Sequence, residues 1–203
     1  AFWKSLGVTV IRCLLGVSLN VLMCVLTAYP LSKDNSKLRM RTGYTWFFFI
    51  TMLINAGLIP WFLNMQMLGL TNTFWAYIIP GIVAPYNIIL VKTYIESIPA
   101  ELEESAQIDG ATHMMIFRKI IWPLSKPILA TIAIFGAVGH WNSFTDSLIL
   151  MQSAPNLYTL QHRLYIYLNT ASNLSALMES GGQISDTVLK SALSAKVIKY
   201  TIS

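Results

Sequence analysis

The residues with the most chemical capacity in this 203-residue chain stand together: His140, Trp141, Asn142, Ser143, Thr145 and Asp146. Two chemistries suit them. Ser143 beside His140 is the one conceivable nucleophile–base pair, with Asp146 the only acid at hand to orient it. The other is contact with a polar solute passing through the bundle, in which amides and carboxylates hydrogen-bond its groups and aromatic faces cover it. Trp141 next to Asn142 has that character, and Tyr86 and Asn87 offer similar groups. Asn20 and Asn55 are polar too, but lone amides in apolar segments commonly bond a neighbouring helix. His113, His140 and His162 lie in separate segments, so no metal-ligand spacing exists. Cys13 and Cys24 share one apolar run and cannot bridge within a helix. They read as buried apolar side chains.

A second group stands in a polar island, ELEESAQIDGATHMMIFRKIIWPLSKP, at 101–127. Pro99 suits a helix start. Glu101, Glu103 and Glu104 complement the positive end of the helix that follows. Ala106 and Ser105 give it a small-residue face, and Asp109-Gly110 signals a turn. A second helix is expected over 111–121, with Met115, Phe117, Ile120 and Ile121 making apolar contacts. Pro123 and Pro127 end it. This is a helix-turn-helix elbow over 99–123, suited to docking a water-soluble partner.

The elements that hold these groups are set by composition. The chain is 55% hydrophobic and 11% charged, with mean hydropathy +0.56. Soluble domains carry about 25% charged residues, so the deficit places this chain in a bilayer. The stretch 42–91 holds no Asp, Glu, Lys, Arg or His. Four spans are predicted, at 8–30, 44–63, 74–95 and 127–151, all helical because lipid offers no partner to exposed backbone groups. The third contains Pro80-Gly81 and Pro85, which predict either a packing kink or a pathway-lining break. Lys33, Lys37, Arg39 and Arg41 make the connection 31–43 cytoplasmic. Alternation then puts 96–126 inside and 152–185 outside. The outer segment is expected to hold some helix around 160–168, and another helix is expected from Ser185 onward. The net charge of +5 has no basic face with aromatic readers, which argues against nucleic-acid binding.

The island carries a specific resemblance. Glu104-Ser105-Ala106, Gly110, Ile120 and Trp122-Pro123 match in every spacing the "EAA" loop of permease subunits in bacterial ABC importers. Ser105 stands for alanine and Trp122 for leucine. AYPLS at 28–32, GLIP at 57–60, PLSKP at 123–127 and His140-Trp141-Asn142 resemble the carbohydrate-uptake permeases, above all the second permease of oligosaccharide importers.

The resemblance implies an all-α, polytopic transmembrane bundle of the type I importer kind. It implies one permease domain over 1–203, with spans two to five of six and the approach to the sixth. It further implies a site for a cytoplasmic ATPase pair at Glu101, Glu104, Ser105, Ala106, Asp109, Gly110, Ile120 and Pro123. Its other partners would be a second homologous permease, an extracytoplasmic solute-binding protein and the lipid of the bacterial plasma membrane. The substrate would be a sugar, most simply an oligosaccharide, contacting Tyr86, Asn87, His140, Trp141, Asn142 and Asp146. ATP and magnesium would sit on the partner ATPase, since this chain has no GKS or GKT sequence, and no cofactor is expected on the chain itself. The alternatives are a permease for a non-sugar solute (amino acid, peptide or polyamine), a membrane-embedded enzyme, and a passive channel. A channel has no use for such an elbow.

Overall fold

A computed structural model of the chain describes residues 2–34 and 38–179. Its described residues are organised by one long helix, α1 (Phe2–Leu31). The buried positions of α1 include Ser5, Thr9, Arg12, Gly16, Asn20, Cys24 and Ala28, which recur every three to four residues as a single stripe. That stripe is small or polar, while Leu14, Leu15, Leu22 and Leu26 are exposed. This inverts the pattern of a soluble helix. Lipid tails do not drive apolar side chains inward, so close approach and polar contacts decide which face is buried. α1 is the only described helix long and apolar enough to cross a bilayer alone.

The second predicted span, 44–63, is not one helix. It is α2 (Arg41–Leu53) and α3 (Leu58–Met67), bent by 115°. Gly57, at φ +84°, takes a conformation that suits glycine. Asn55 Oδ1 accepts from the Gly57 N–H at 2.9 Å. Asn55 therefore closes a local turn instead of bonding a neighbouring helix. Pro60 falls in the first turn of α3, where no intrahelical donor is needed.

The third predicted span, 74–95, begins as two 3₁₀ turns, Phe74–Tyr77 and Ile79–Gly81, and becomes α-helical only in α4 (Pro85–Glu96). The two parts meet at 43°. The elbow comprises α5 (Glu101–Ile108) and α6 (His113–Ile116), which runs on through a π-helical turn, Phe117–Ile121, into α7 (Trp122–Leu124). The second elbow helix thus starts two residues later than the expected 111, because Thr112 caps it. Pro123 has no N–H for the Lys119 carbonyl, and the wide turn stands just before it.

The fourth predicted span, 127–151, is also corrected. α8 (Lys126–Asn142) meets the elbow helix at 69° and stops at Asn142; α9 (Thr145–Leu150) follows after a two-residue break. The helix expected around 160–168 is α10 (Leu160–Glu179), longer than anticipated. The helix expected from Ser185 lies outside the described residues. If each bent pair is one crossing, the described residues are long and apolar enough for up to four crossings.

Two cores flank the middle of α1. One joins Cys24, Val25 and Ala28 of α1 to Ile88, Val91 and Ile95 of α4, Ile116, Phe117 and Ile121 of the elbow, and Ile132 of α8. The other joins Met65 of α3, Tyr77 and Ile78 of the 3₁₀ turns, and Leu150 and Met151. The elbow is thereby seated on the same core as α1 and α4.

Candidate functional site

The elbow turn is built by backbone geometry. The Gly110 N–H donates to the Gln107 carbonyl at 3.0 Å, and the Ala111 N–H to the Ala106 carbonyl at 2.9 Å. With Gly110 at φ +79°, this is a Schellman ending to α5. Asp109 is the last residue before the turn and is exposed. Ala106 and Ala111 pack against the core beneath. Thr112 then starts α6 by accepting the Met115 N–H at 3.4 Å on its side-chain oxygen.

The three glutamates of α5 divide by face. Glu103 pairs with Lys33, whose ammonium also lies 4.3 Å from the Tyr29 ring centroid. Tyr29 in turn meets Phe117 at 5.1 Å between centroids. Glu101, Glu104, Ser105, Asp109 and Gly110 stay exposed, with Ile120 half-buried and Pro123 exposed. Ile108 is 86% exposed, an unusual state for isoleucine. In the second half of the elbow, Thr112, Met114, Met115, Arg118 and Lys119 line an open groove of about 510 Å³. The elbow thus has an inner face tied to α1 and an outer face that combines acids, a basic pair and exposed apolar tips. Phe117 makes the apolar contacts expected of it, whereas Lys33 was read only as a topology-setting charge and Tyr29 was given no role; their link to Glu103 and Phe117 was not foreseen.

The second candidate group is brought together around a residue the sequence reading also passed over. Arg12 of α1 is 2% exposed. Its Nε donates to His140 Nδ1 at 3.3 Å, and its Nη1 to the Ser143 carbonyl at 3.2 Å. Nη1 and Nη2 both reach Asp146, as an ion pair. The guanidinium also lies 4.7 Å from the Tyr77 ring centroid. Since His140 Nδ1 accepts, the ring proton sits on Nε2. The His140 ring rests on Gly16: a Cβ there would meet His140 Nε2 at 2.5 Å. An arginine within an apolar run was the available signal.

His140 and Asp146 are therefore engaged with α1, and Ser143 donates its hydroxyl to Asp146 at 3.0 Å. Ser143 and His140 do not bond each other as a nucleophile and base. Trp141 and Asn142, on the next positions of α8, are exposed. Trp141 shares a cavity of about 170 Å³ with Gln161, Arg163 and Tyr167. Tyr86 is 58% exposed. Asn87 is not near the 140–146 group in hydrogen bonding: its Nδ2 donates to Asn20 Oδ1 at 3.1 Å. Asn20 Nδ2 in turn donates to the carbonyls of Gly81, at 2.8 Å, and Ile82, at 3.1 Å. Pro85 has no N–H to give Gly81, so Asn20 supplies the missing donor. Further along, Ser147 Oγ lies 2.8 Å from His162 Nδ1, and burial lowers the His162 pKa. Among the described residues no group of three His, Cys, Asp or Glu side chains could hold a metal ion.

Residues 7–185 match the family model described as binding-protein-dependent transport system inner membrane component. The chain belongs to this family. That family comprises inner membrane components of transport systems. The chain is 39% identical over 153 residues to Protein LplC of Bacillus subtilis, covering 75% of this chain and 51% of LplC. It is 38% identical over 152 residues to the polygalacturonan/rhamnogalacturonan transport system permease protein YtcP of the same organism, covering 75% and 52%. The chain spans about half the length of these relatives. Its fold is similar to that of a bacterial ABC transporter involved in the import of the acidic polysaccharide alginate. There the TM-score is 0.77 at 33% identity, over 99% of this chain and 71% of that one. The described residues thus have an all-α fold of the type I importer permease kind.

Proposed function

We infer that this chain is the membrane-embedded core of one permease subunit in a bacterial ABC importer for an oligosaccharide. In this reading it forms half of the translocation pathway, pairs with a second permease, and receives its substrate from an extracytoplasmic binding protein. ATP hydrolysis belongs to a separate pair of cytoplasmic ATPase subunits in the plasma membrane system. The observation that carries the reading is the elbow. Its inner face is fastened to α1 through Lys33–Glu103 and Tyr29–Phe117, so a push on the outer face is delivered to the helix that organises the bundle. Its outer face keeps Glu101, Glu104, Ser105, Asp109 and the protruding Ile108 free for a partner.

The basic connection after α1 supports a cytoplasmic elbow. The names of the relatives support a carbohydrate over an amino acid, peptide or polyamine. Tyr86, Trp141 and Asn142 are the side chains best presented to a sugar, since they are exposed aromatic and amide groups. His140, Asp146 and Asn87 act behind them by holding helices in place. The test is uptake and ATPase activity of the full-length protein, assembled with its ATPase and binding protein in vesicles. Gly110→Pro should remove sugar-stimulated ATPase activity and leave the protein in the membrane. Retained stimulation would mean that the elbow does not couple.

A further inference from the structure

The ion pair of Arg12 with Asp146 has no place in the coupling elbow and lies far from it. Arg12 is 19 residues before Leu31, about 28 Å along α1. In the orientation given above this puts the pair in the outer half of the bundle, opposite the ATPase side. An ionised pair there is costly to desolvate and is held only when its geometry is complete. Here it is complete. Asp146 Oδ1 accepts the Ser147 N–H at 2.9 Å and the Ser143 hydroxyl at 3.0 Å, and the guanidinium fork spans both carboxylate oxygens.

What this geometry does is hold a break open. α8 ends at Asn142, and Ser143 is extended, at φ −71° and ψ 129°. No proline or glycine stands at Ser143 or Phe144 to force that interruption. The Ser143 carbonyl, turned out of the helix, is taken by Arg12 Nη1 at 3.2 Å. Asp146 anchors the first turn of α9 on the same guanidinium. The broken span is thus pinned on both sides of its gap by one residue of α1.

We propose that Arg12 is a positioning residue: it latches the break between α8 and α9 to α1, and so fixes Trp141 and Asn142 at the outer mouth of the pathway. The proposal rests on the permease reading above for its consequence in transport, while the latch itself can be tested without transport. Lysine cannot replace arginine here, because a single ammonium does not span the Ser143 carbonyl, both Asp146 oxygens and His140 together.

The experiment uses the full-length protein in its complex, with Asn142→Cys as a reporter. Labelling of position 142 by a water-soluble maleimide is followed by peptide mass mapping, which separates it from Cys13 and Cys24. Asp146→Asn alone leaves Arg12 buried and unpaired, and should lower the amount of complex in the membrane. The neutral pair Arg12→Gln/Asp146→Asn removes that unpaired charge and should restore the amount. In the neutral pair, and in Arg12→Lys, labelling at 142 should quicken about tenfold, the effect of losing one charge-assisted hydrogen bond. With Asn142 left in place, the sugar concentration for half-maximal uptake should rise by about the same factor in both. Wild-type labelling rates in the neutral pair and in Arg12→Lys would overturn the latch. Quickened labelling in a protein whose wild type answers to no sugar would keep the latch and remove the carbohydrate reading instead.

Discussion

Asn20 offers the clearest quantitative prediction. Its amide is fully used: Nδ2 donates to the Gly81 and Ile82 carbonyls, and Oδ1 accepts from Asn87 at 3.1 Å. The residue is 6% exposed, so water does not replace these bonds. Asn20→Ala removes these three bonds, together with a weak one from the Cys24 thiol to Oδ1 at 3.7 Å, and orphans the Gly81 carbonyl, which Pro85 cannot serve. Hydrogen bonds between membrane helices contribute about 0.6 kcal/mol on average and at most about 1.7. The loss should therefore be about 2 kcal/mol, with an upper bound of about 5. Asn87→Ala loses only the shared bond and should cost about 0.6 kcal/mol, which should also be the coupling energy of the double-mutant cycle. Asn20→Asp keeps the shape but not the donors, and should be no better than alanine. The assay is reversible unfolding of the full-length protein in mixed micelles, followed by tryptophan fluorescence. Equal losses for Asn20→Ala and Asn87→Ala would refute the reasoning, because they would show that the two carbonyls are not being served by Asn20.

Further expectations concern single sites. Gly16→Val drives a side chain into the His140 ring and should destabilise the fold by about 1–3 kcal/mol, measured in the same unfolding assay. Gly110→Ala places an L side chain at φ +79° and should cost about 1–2 kcal/mol, with weaker coupling to the ATPase; unchanged stability would contradict the turn geometry. His162, lowered by burial and by Arg163, resists protonation in the folded state. The unfolded chain takes up that proton first as pH falls through about 6.5, so stability should be full above that pH and decline below it. His162→Gln should flatten the acid side of the stability profile, and an unchanged profile would locate the effect elsewhere. Asn142→Ala should lower sugar uptake while the complex still assembles.

Legibility in the sequence followed the strength of local signals. The elbow was readable because Pro99, the acids, Asp109-Gly110 and Pro123 each constrain the backbone within a few residues, and Gly110 makes the turn expected there, whereas the cap at Thr112 was not read. α1 was readable from its unbroken apolar length. The bend of the third span was readable from Pro80-Gly81 and Pro85, but the breaks at Asn55–Gly57 and Ser143–Phe144 were not. Asn55 and Gly57 make a turn through one hydrogen bond and one positive φ, signals that an apolar background hides. The Ser143–Phe144 break carries no local signal, because its stabilising partner, Arg12, is more than 130 positions away. The same distance explains why His140 and Asp146 looked like pathway groups. Their sequence neighbours Trp141 and Asn142 are exposed, but they themselves turn inward to α1. The division of Glu103 from Glu101 and Glu104 likewise depends on Lys33, which sequence spacing does not place beside it.

The central claim is that the elbow couples a carbohydrate pathway to a separate ATPase. The most direct test is to purify the full-length protein with its ATPase and binding protein, and to measure ATPase rates across a panel of oligosaccharides. The account predicts a stable complex whose ATPase rate rises with one class of oligosaccharide delivered by the binding protein. A stable complex indifferent to every sugar would contradict the carbohydrate reading, and the lack of any bound ATPase would contradict the role given to residues 99–123.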